Sequence, residues 1–183
     1  MCGVNFEYNR IGMSGYKGIC IKELNENDNL DNYLEMVNDL ENVKGITGLG
    51  SKNLTKEDLI DFIKNYDGYL FGIFDKNDNH VGNIGLNSIN KDDKSCSIGV
   101  LISRKFQRKG YAFTGIKKVI KFVFEYLNLK MVTLDVLEWN IPAIKLYEKI
   151  GFKFDSFLKK GFTYRGKLHN LRKYSIMKNQ FHY

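Results

Sequence analysis

A predicted strand turns into a predicted helix at Gln107-Arg108-Lys109-Gly110-Tyr111-Ala112, and this turn decides how the rest of the chain is interpreted. The strand covers residues 95–102, and an amphipathic helix runs from about Gly110 to Leu127. A helix that begins at a glycine turn directs several unpaired backbone N–H groups, and the positive end of its dipole, to one point. Such a point favours phosphate, so the segment predicts a pyrophosphate-binding loop.

Four cationic side chains lie beside this glycine and add positive charge where phosphates would bind. They are Arg104, Lys105, Arg108 and Lys109. We expect Arg108 and Lys109 to contact phosphate, because they are adjacent to the junction. For Arg104 and Lys105 a phosphate contact and a solvated charged turn are equally open interpretations.

Hydrophobic periodicity and turn residues elsewhere predict an α/β (α+β) architecture in the order β-α-α-β-β-β-α-β-α-β-β. The predicted strands are 19–24, 69–74, 80–87, 95–102, 131–137, 152–164 and 168–177. The predicted helices are 30–40, 55–63, 110–127 and 142–150, with Pro142 in the first turn of the last one and Gly151 at its end. Residues 1–18 are expected to be an irregular lead-in, 45–52 a loop and 165–167 a turn, all within one domain spanning 1–183.

Composition narrows the class of protein. The 183 residues are 43% hydrophobic and carry a formal charge of +7, which predicts a packed globule with a polyanionic partner or a merely solubilising basic surface. Three cysteines without CxxC spacing predict neither a disulfide framework nor a metal site. No apolar run is long enough for a signal peptide or a membrane span, so we expect a cytoplasmic protein.

A second motif makes the first one specific. Residues 140–152 read Asn140-x-x-Ala143-x-x-Leu146-Tyr147-Glu148-Lys149-x-Gly151-Phe152. Together with Gln107-x-x-Gly110-x-Ala112, at a separation of one helix and one strand, this resembles the two signatures of the GNAT N-acetyltransferases. The resemblance covers about residues 19–178. It implies a mixed, mostly antiparallel sheet of about seven strands flanked by about four helices, and acetyl-CoA as co-substrate without a metal.

The resemblance also implies roles for particular residues. Backbone groups of the loop would hold the CoA pyrophosphate, and the end of the preceding strand would pair with the pantetheine arm through main chain only. The implied cofactor-binding residues are Leu101, Ile102, Gln107, Arg108, Lys109, Gly110, Tyr111, Ala112, Asn140 and Ala143. Asn140 also suits a helix N-cap. Tyr147 would donate a proton to the departing CoA thiolate, although a tyrosine on a short amphipathic helix is also commonly half-buried core.

The general base is not identified by the motifs. Many GNAT enzymes carry a glutamate on the strand before the pyrophosphate loop, and Ser97 stands in that place here. Serine is no base by itself, although it can hold a water molecule. The alternative candidates are Glu23, Asp39, Glu41 and His80.

Local likenesses suggest the acceptor amine. Residues 37–39, 55–63, 70–74 and 82–85 resemble GNAT members that acetylate a nucleotide-linked aminosugar, which is the first hypothesis. A protein N-terminus comes second and a polyamine third, the latter needing an acidic pocket to offset the basic chain. That pocket would draw on Glu23, Glu26, Asp28, Asp31 and Glu35. A homodimer is left open.

The rival hypotheses are not enzymes. One is a GNAT-like domain that binds CoA without turnover. The other is an RNA-binding module that uses basic and aromatic residues near the C-terminus, and nucleic acid is the less favoured partner. The residues concerned are Phe162, Tyr164, Arg165, Lys167, Arg172, Lys173 and Tyr174.

Overall fold

The computed structural model describes residues 18–44, 53–164 and 167–183. The predicted lead-in up to residue 17, the loop 45–52 and the turn residues 165 and 166 lie outside the described residues. The strands are β1 (Cys20–Glu23), β2 (Tyr69–Phe74), β3 (His80–Asn90), β4 (Ser95–Ile102), β5 (Met131–Leu137), β6 (Lys153–Tyr164) and β7 (Lys167–Met177). The helices are α1 (Asp31–Asn38), α2 (Leu40–Val43), α3 (Lys56–Lys64), α4 (Tyr111–Glu125) and α5 (Ile141–Ile150), with short 3-10 turns at Arg104–Phe106 and Lys178–Gln180.

The seven strands form one sheet in the order β1-β2-β3-β4-β5-β7-β6. Only β4 and β5 run parallel, so the expected mixed and mostly antiparallel sheet is confirmed. Helices cover it on both faces. On one face α4 and α5 pack through Ile116, Ile120 and Ile144 against a cluster that includes Ile84 and Leu134.

The opposite face of the sheet is covered by the first three helices over strands β1 to β4. Tyr33 and Val37 of α1 and Leu59 of α3 lie in one buried cluster with Leu70 and Leu101 of the strands. The two clusters place the junction of β4 with α4 between two helical layers.

One predicted helix is wrong in its extent. The pattern predicted a single helix over 30–40, but the chain becomes extended at Asp39 (φ −77°, ψ 100°) and a separate short helix follows. The Asp39 carboxylate accepts hydrogen bonds from the backbone N–H groups of Glu41 (3.1 Å) and Asn42 (3.3 Å). An aspartate bonds its own backbone more readily as a cap than inside a helix, and here that preference divides the segment.

The other helix ends follow their expected capping chemistry. Thr55 and Asp58 form a reciprocal capping box at the start of α3. Pro142 lies in the first turn of α5, and Gly151 ends that helix in the left-handed conformation (φ 116°). No helix in the described ranges is long and apolar enough to span a membrane.

His80 is a buried histidine with a fixed hydrogen-bond arrangement. Its Nε2 lies 3.1 Å from the Gly82 carbonyl oxygen and 2.8 Å from Asn83 Oδ1, both acceptors, so Nε2 carries the proton. The ring stacks on Phe74 with centroids 4.7 Å apart, and its Nδ1 has no partner among the described residues. Burial lowers the pKa of His80.

This environment predicts acid sensitivity. The folded state keeps His80 neutral, whereas in the unfolded chain it protonates near pH 6.5. We therefore expect the free energy of unfolding to be unaffected by His80 above that pH and to fall below it, by at most about 1.4 kcal/mol per pH unit. Urea unfolding of the wild type and His80→Gln at pH 7.5 and 5.5 measures this. The substituted protein should lose part of the pH dependence, whereas exposed His182→Gln should keep it.

Candidate active site

The sheet opens between its two central parallel strands. β4 pairs with β5 only at Ser95, Cys96 and Ser97, although it pairs with β3 as far as Ile102. β5 in turn pairs with β7 along its whole length. Because each strand is held by its other neighbour, residues 98–102 leave a gap on the β5 side of β4. Backbone groups along that edge can pair with an extended, peptide-like ligand. Those of Ile102 lie on this side, whereas those of Leu101 point toward β3, so the geometry is compatible with the expected main-chain role of Ile102 and not with that of Leu101.

The predicted pyrophosphate loop lies at the end of this gap. Arg108 (φ 59°) and Gly110 (φ 88°) are both left-handed, and Gly110 is the N-cap of α4. The first N–H groups of α4, including those of Tyr111 and Ala112, have no intrahelical partner, and Gly110 has no side chain that could cap them. A Cβ added at Gly110 would meet no atom within 4 Å. The loop therefore offers open space beside oriented N–H donors, which is the requirement for a phosphate site.

The four cations of the loop divide into two pairs. Arg104 Nε lies 3.0 Å from Asp39 Oδ2, and Lys105 forms an ion pair with Glu35, so both are directed at α1 and α2. Lys109 rests over the Phe106 ring at 5.1 Å. Arg108 is exposed and has no ion-pair partner within the part of the chain that the structure describes. The expectation that Arg108 and Lys109 contact phosphate is thus compatible with the geometry, and it stays a prediction.

Gln107 contributes through a structural link that the motif does not reveal. Its Nε2 donates to Asn42 Oδ1 and to the Ile102 carbonyl oxygen, both at 3.1 Å. Asn42 is buried, and its Nδ2 donates to the Met36 carbonyl oxygen at 3.1 Å. This chain of amides ties α1 and α2 to the end of β4 and to the start of the loop.

Removal of this link should loosen the loop. In Asn42→Ala the Met36 carbonyl and the Gln107 amide lose a buried partner, which costs about 1–3 kcal/mol of stability. We also expect weaker binding of CoA, since the loop is less fixed before the ligand arrives. Thermal unfolding and calorimetric titration with CoA measure both effects. Asn53→Ala is the matched control, since Asn53 is exposed, and should leave both values unchanged.

The second motif covers the start and most of α5. Asn140 caps this helix, since its Oδ1 accepts from the Ala143 N–H at 3.4 Å, and its Nδ2 bonds to no described residue. The capping interpretation of Asn140 is therefore confirmed, and Nδ2 is left as a donor for a ligand. Ala143 is half-buried beside the core.

Tyr147 is embedded in the core of this layer. Its side chain is 9% exposed, and its ring packs edge-on to Phe152 with centroids 5.8 Å apart. The hydroxyl makes no hydrogen bond to a described residue. Burial raises the pKa of Tyr147 to about 12. The phenol is thus a protonated donor at every physiological pH.

A row of polar residues on neighbouring strands lies on the face of the sheet opposite to α4 and α5. Ser97 pairs with Asn87 of β3 on one side and with Thr133 of β5 on the other. Asn87 is hydrogen-bonded to Tyr66, whose hydroxyl oxygen lies over Gly85, only 2.1 Å from where a Cβ would be. Sequence reasoning missed Asn87 and Tyr66, because their proximity depends on sheet register.

The alternative bases do not reach this row. Asp39 is occupied as the cap of α2 and by Arg104, and Glu41 pairs with Lys44 at 2.7 Å. His80 is enclosed in the core, where its Nε2–H donates to the Gly82 carbonyl oxygen and to Asn83 Oδ1. Glu23 lies on β1, three strands away from β4, and burial raises its pKa.

The acidic residues proposed for a polyamine pocket are largely neutralised by lysines. Asp28 pairs with Lys22 at 2.8 Å, and Asp31 pairs with Lys56 at 3.4 Å. Glu35 pairs with Lys105. Only Glu23 and Glu26 of that group have no cationic partner in the described segments. The predicted acidic pocket would therefore have to displace lysines from three of its five carboxylates, and it stays a prediction.

Three of the residues predicted for RNA binding, Arg172, Lys173 and Tyr174, do not form an exposed aromatic and basic surface. Tyr174 is 1% exposed, and its hydroxyl donates to Glu148 Oε1 at 2.9 Å. Arg172 is half-buried over the Phe157 ring at 5.4 Å. Lys173 lies on the opposite face of β7. These residues do not share one exposed surface on which bases can stack.

The described residues contain no cluster of side chains suited to bind a metal ion. Across 18–44, 53–164 and 167–183, no three His, Cys, Asp or Glu side chains come together as a metal site.

Known proteins share both the sequence pattern and the fold. An uncharacterized N-acetyltransferase of Bacillus licheniformis is 28% identical over 109 residues, which are 60% of this chain and 61% of that protein. The spermidine N(1)-acetyltransferase of Vibrio cholerae is 29% identical over 111 residues, 61% of this chain and 64% of that protein. The chain thus matches slightly less than two thirds of the length of these relatives.

The fold has a solved counterpart of similar size. The spermidine N-acetyltransferase of Vibrio cholerae, crystallised with CoA and spermine, superposes with a TM-score of 0.80 at 23% identity, over 88% of this chain and 96% of that one. The family model for the acetyltransferase (GNAT) domain matches residues 19–153, most of the chain and both motifs. This chain belongs to the GNAT acetyltransferase family.

Proposed function

We propose that this protein transfers the acetyl group of acetyl-CoA to a primary amine of a polyamine such as spermidine. The observation that carries the proposal is the open gap between β4 and β5, which ends at the left-handed Gly110 loop. Tyr147 lies in the helical layer on one face of that sheet. Membership of the family supports acetyl transfer from acetyl-CoA. The relative that acts on spermidine supports the acceptor.

The cofactor would be held mainly by backbone. The N–H groups from Arg108 to Ala112 face the open space at Gly110 and suit the two phosphates. The free edge of β4 at Val100, whose backbone groups point away from β3, suits the amides of the pantetheine arm, whereas the Ile102 carbonyl is already bonded to Gln107. Asn140 Nδ2 is a further donor. These assignments are based on the available N–H donors and on the open space at Gly110, and the positive charges of Arg108 and Lys109 support them.

The chemistry requires a proton at the sulfur. Attack by the amine nitrogen forms the C–N bond and breaks the C–S bond, so that R–NH3+ and the thioester give the amide, the free thiol and one proton. The CoA thiol has a pKa near 8.5, so a phenol raised to about 12 acts chiefly as a hydrogen-bond donor that stabilises charge on sulfur. Tyr147 would therefore keep its proton while negative charge develops on the sulfur and would stabilise that charge through the hydrogen bond.

The acceptor assignment replaces our first hypothesis. A relative named for spermidine acetylation and a solved structure holding spermine favour a polyamine over the predicted nucleotide-linked aminosugar. A protein N-terminus stays an untested prediction. The net charge of +7 opposes a polycation at long range, so the proposal requires local negative charge at the mouth of the gap.

A panel of acceptors tests the proposal. Purified protein with acetyl-CoA is assayed for thiol release with spermidine, spermine, UDP-linked and dTDP-linked aminosugars and N-terminal peptides. We expect kcat/KM to be highest for spermidine or spermine. Turnover of an aminosugar alone would overturn the polyamine assignment and keep acetyl transfer. CoA binding without thiol release from any amine would identify a domain that binds without turnover.

A further inference from the structure

Asp135 is a charged residue in the middle of β5. Its neighbours Leu134 and Val136 are buried against α4 and α5, and Asp135 is exposed on the opposite face. This is the face that carries Ser97, which pairs directly with Thr133. Continuation of that register by two residues brings Asp135 level with Gly99, at the place where β4 and β5 separate. The carboxylate therefore lies at the rim of the gap.

Space and charge at this point are both available. Gly99 is exposed, and a Cβ added there would meet no atom within 4 Å. Lys173 is the cross-strand partner of Asp135 on β7, yet no ion pair joins them, and Asp135 bonds to no other described residue. In contrast, the carboxylates of Asp28, Asp31 and Glu35 are neutralised by lysines.

We propose that Asp135 holds the cationic acceptor amine at the mouth of the gap, on the face opposite to Tyr147; this rests on the proposed function. Tyr147 lies in the α5 layer, so the nitrogen and the expected proton donor for sulfur come from opposite sides of the sheet. A carboxylate binds an ammonium group by charge and hydrogen bonding without having to take its proton. Asp135 accordingly binds and orients the ammonium group, and the released proton goes to solvent.

This assignment makes Asp135 a determinant of specificity for charged acceptors. A carboxylate attracts a trivalent polyamine more strongly than a monoamine, whereas an uncharged acceptor gains nothing from it. Lys173 on the neighbouring strand acts against binding by its like charge. Neutralisation of Asp135 and of Lys173 should therefore change the KM of the acceptor in opposite directions.

The test compares Asp135→Asn, Lys173→Met and the control Asp155→Asn. Asp155 lies on β6 and bonds to Ser175 Oγ at 2.9 Å, so its substitution removes the same charge away from the gap. For Asp135→Asn we expect the KM of spermidine to rise about tenfold, that of a monoamine about threefold, and kcat and CoA affinity to change little. Lys173→Met should lower the KM of spermidine, and Asp155→Asn should leave it unchanged. Asp135→Glu should restore part of the lost affinity.

A second readout does not need turnover. Calorimetry of spermidine binding to the CoA-bound protein measures the ammonium site directly, with the same expected loss in Asp135→Asn. If the wild type turns over or binds spermidine and Asp135→Asn does so equally well, the assignment of Asp135 is wrong and the proposed function stands. A shift of KM in the same direction for Asp135→Asn and Lys173→Met would reduce Asp135 to a structural partner of Lys173. A wild type that neither binds nor acetylates any amine overturns both proposals.

Discussion

Gly110→Trp should abolish useful binding of acetyl-CoA, with the Kd raised at least about 100-fold. The space beside Gly110 is open, and the unpaired first N–H groups of α4 begin at the next residue. An indole there would fill that space and exclude the phosphates from the first N–H groups of α4. Each hydrogen bond to a charged group contributes about 1.5–3 kcal/mol, so the loss of two accounts for the expected change. Calorimetric titration with CoA measures it.

The controls separate blocked space from backbone strain. Gly110→Ala carries the left-handed strain, about 1–2 kcal/mol, but little bulk, and should weaken CoA binding far less. Gly151→Ala imposes the same kind of strain at the end of α5, where φ is 116°. It should lower the melting temperature and leave the Kd for CoA nearly unchanged. If Gly110→Trp binds CoA as tightly as the wild type, the phosphates bind elsewhere and the loop assignment is wrong.

Local rules were sufficient where neighbours along the chain decide the structure. The strand, glycine and helix around Gly110, the capping residues Thr55 and Asn140, and the stop at Gly151 all depend on contacts within a few residues. The same rules overextended the helix over 30–40. A helical hydrophobic pattern continues through Asp39, but the preference of this side chain for its own backbone outweighs it.

Features that depend on register could not be predicted. Gln107 and Asn42 are 65 residues apart, and nothing in the pattern of either segment indicates their hydrogen bond. The alternation along β5 shows that Asp135 points away from the core, but only the pairing of Ser97 with Thr133 places it at the gap. The ranking of acceptors rested on short local likenesses, which carry no information on which charges meet in the folded site, and the similar proteins favour the third-ranked acceptor over the first.

Tyr147→Phe should reduce kcat about 100-fold, within the range that a positioned proton donor contributes, and leave the affinity for CoA within about threefold. The hydroxyl has no hydrogen-bond partner among the described residues, so its removal leaves no buried group unpaired and should not lower stability. Since burial raises the pKa of Tyr147 to about 12, the wild type should show no alkaline loss of kcat from this residue below about pH 10. Stopped-flow thiol release over pH 6.5–10 measures both expectations.

Tyr174→Phe is the matched control, because it removes the same atom from a tyrosine in the same buried cluster. Its hydroxyl donates to Glu148 at 2.9 Å, so this substitution should cost about 1 kcal/mol of stability and change kcat little. The opposite pattern, in which Tyr147→Phe keeps full turnover while chemistry limits the rate, would show that sulfur takes its proton from solvent. The open gap would then act by binding and orientation alone, and Tyr147 would be a core residue whose hydroxyl serves no step of the reaction.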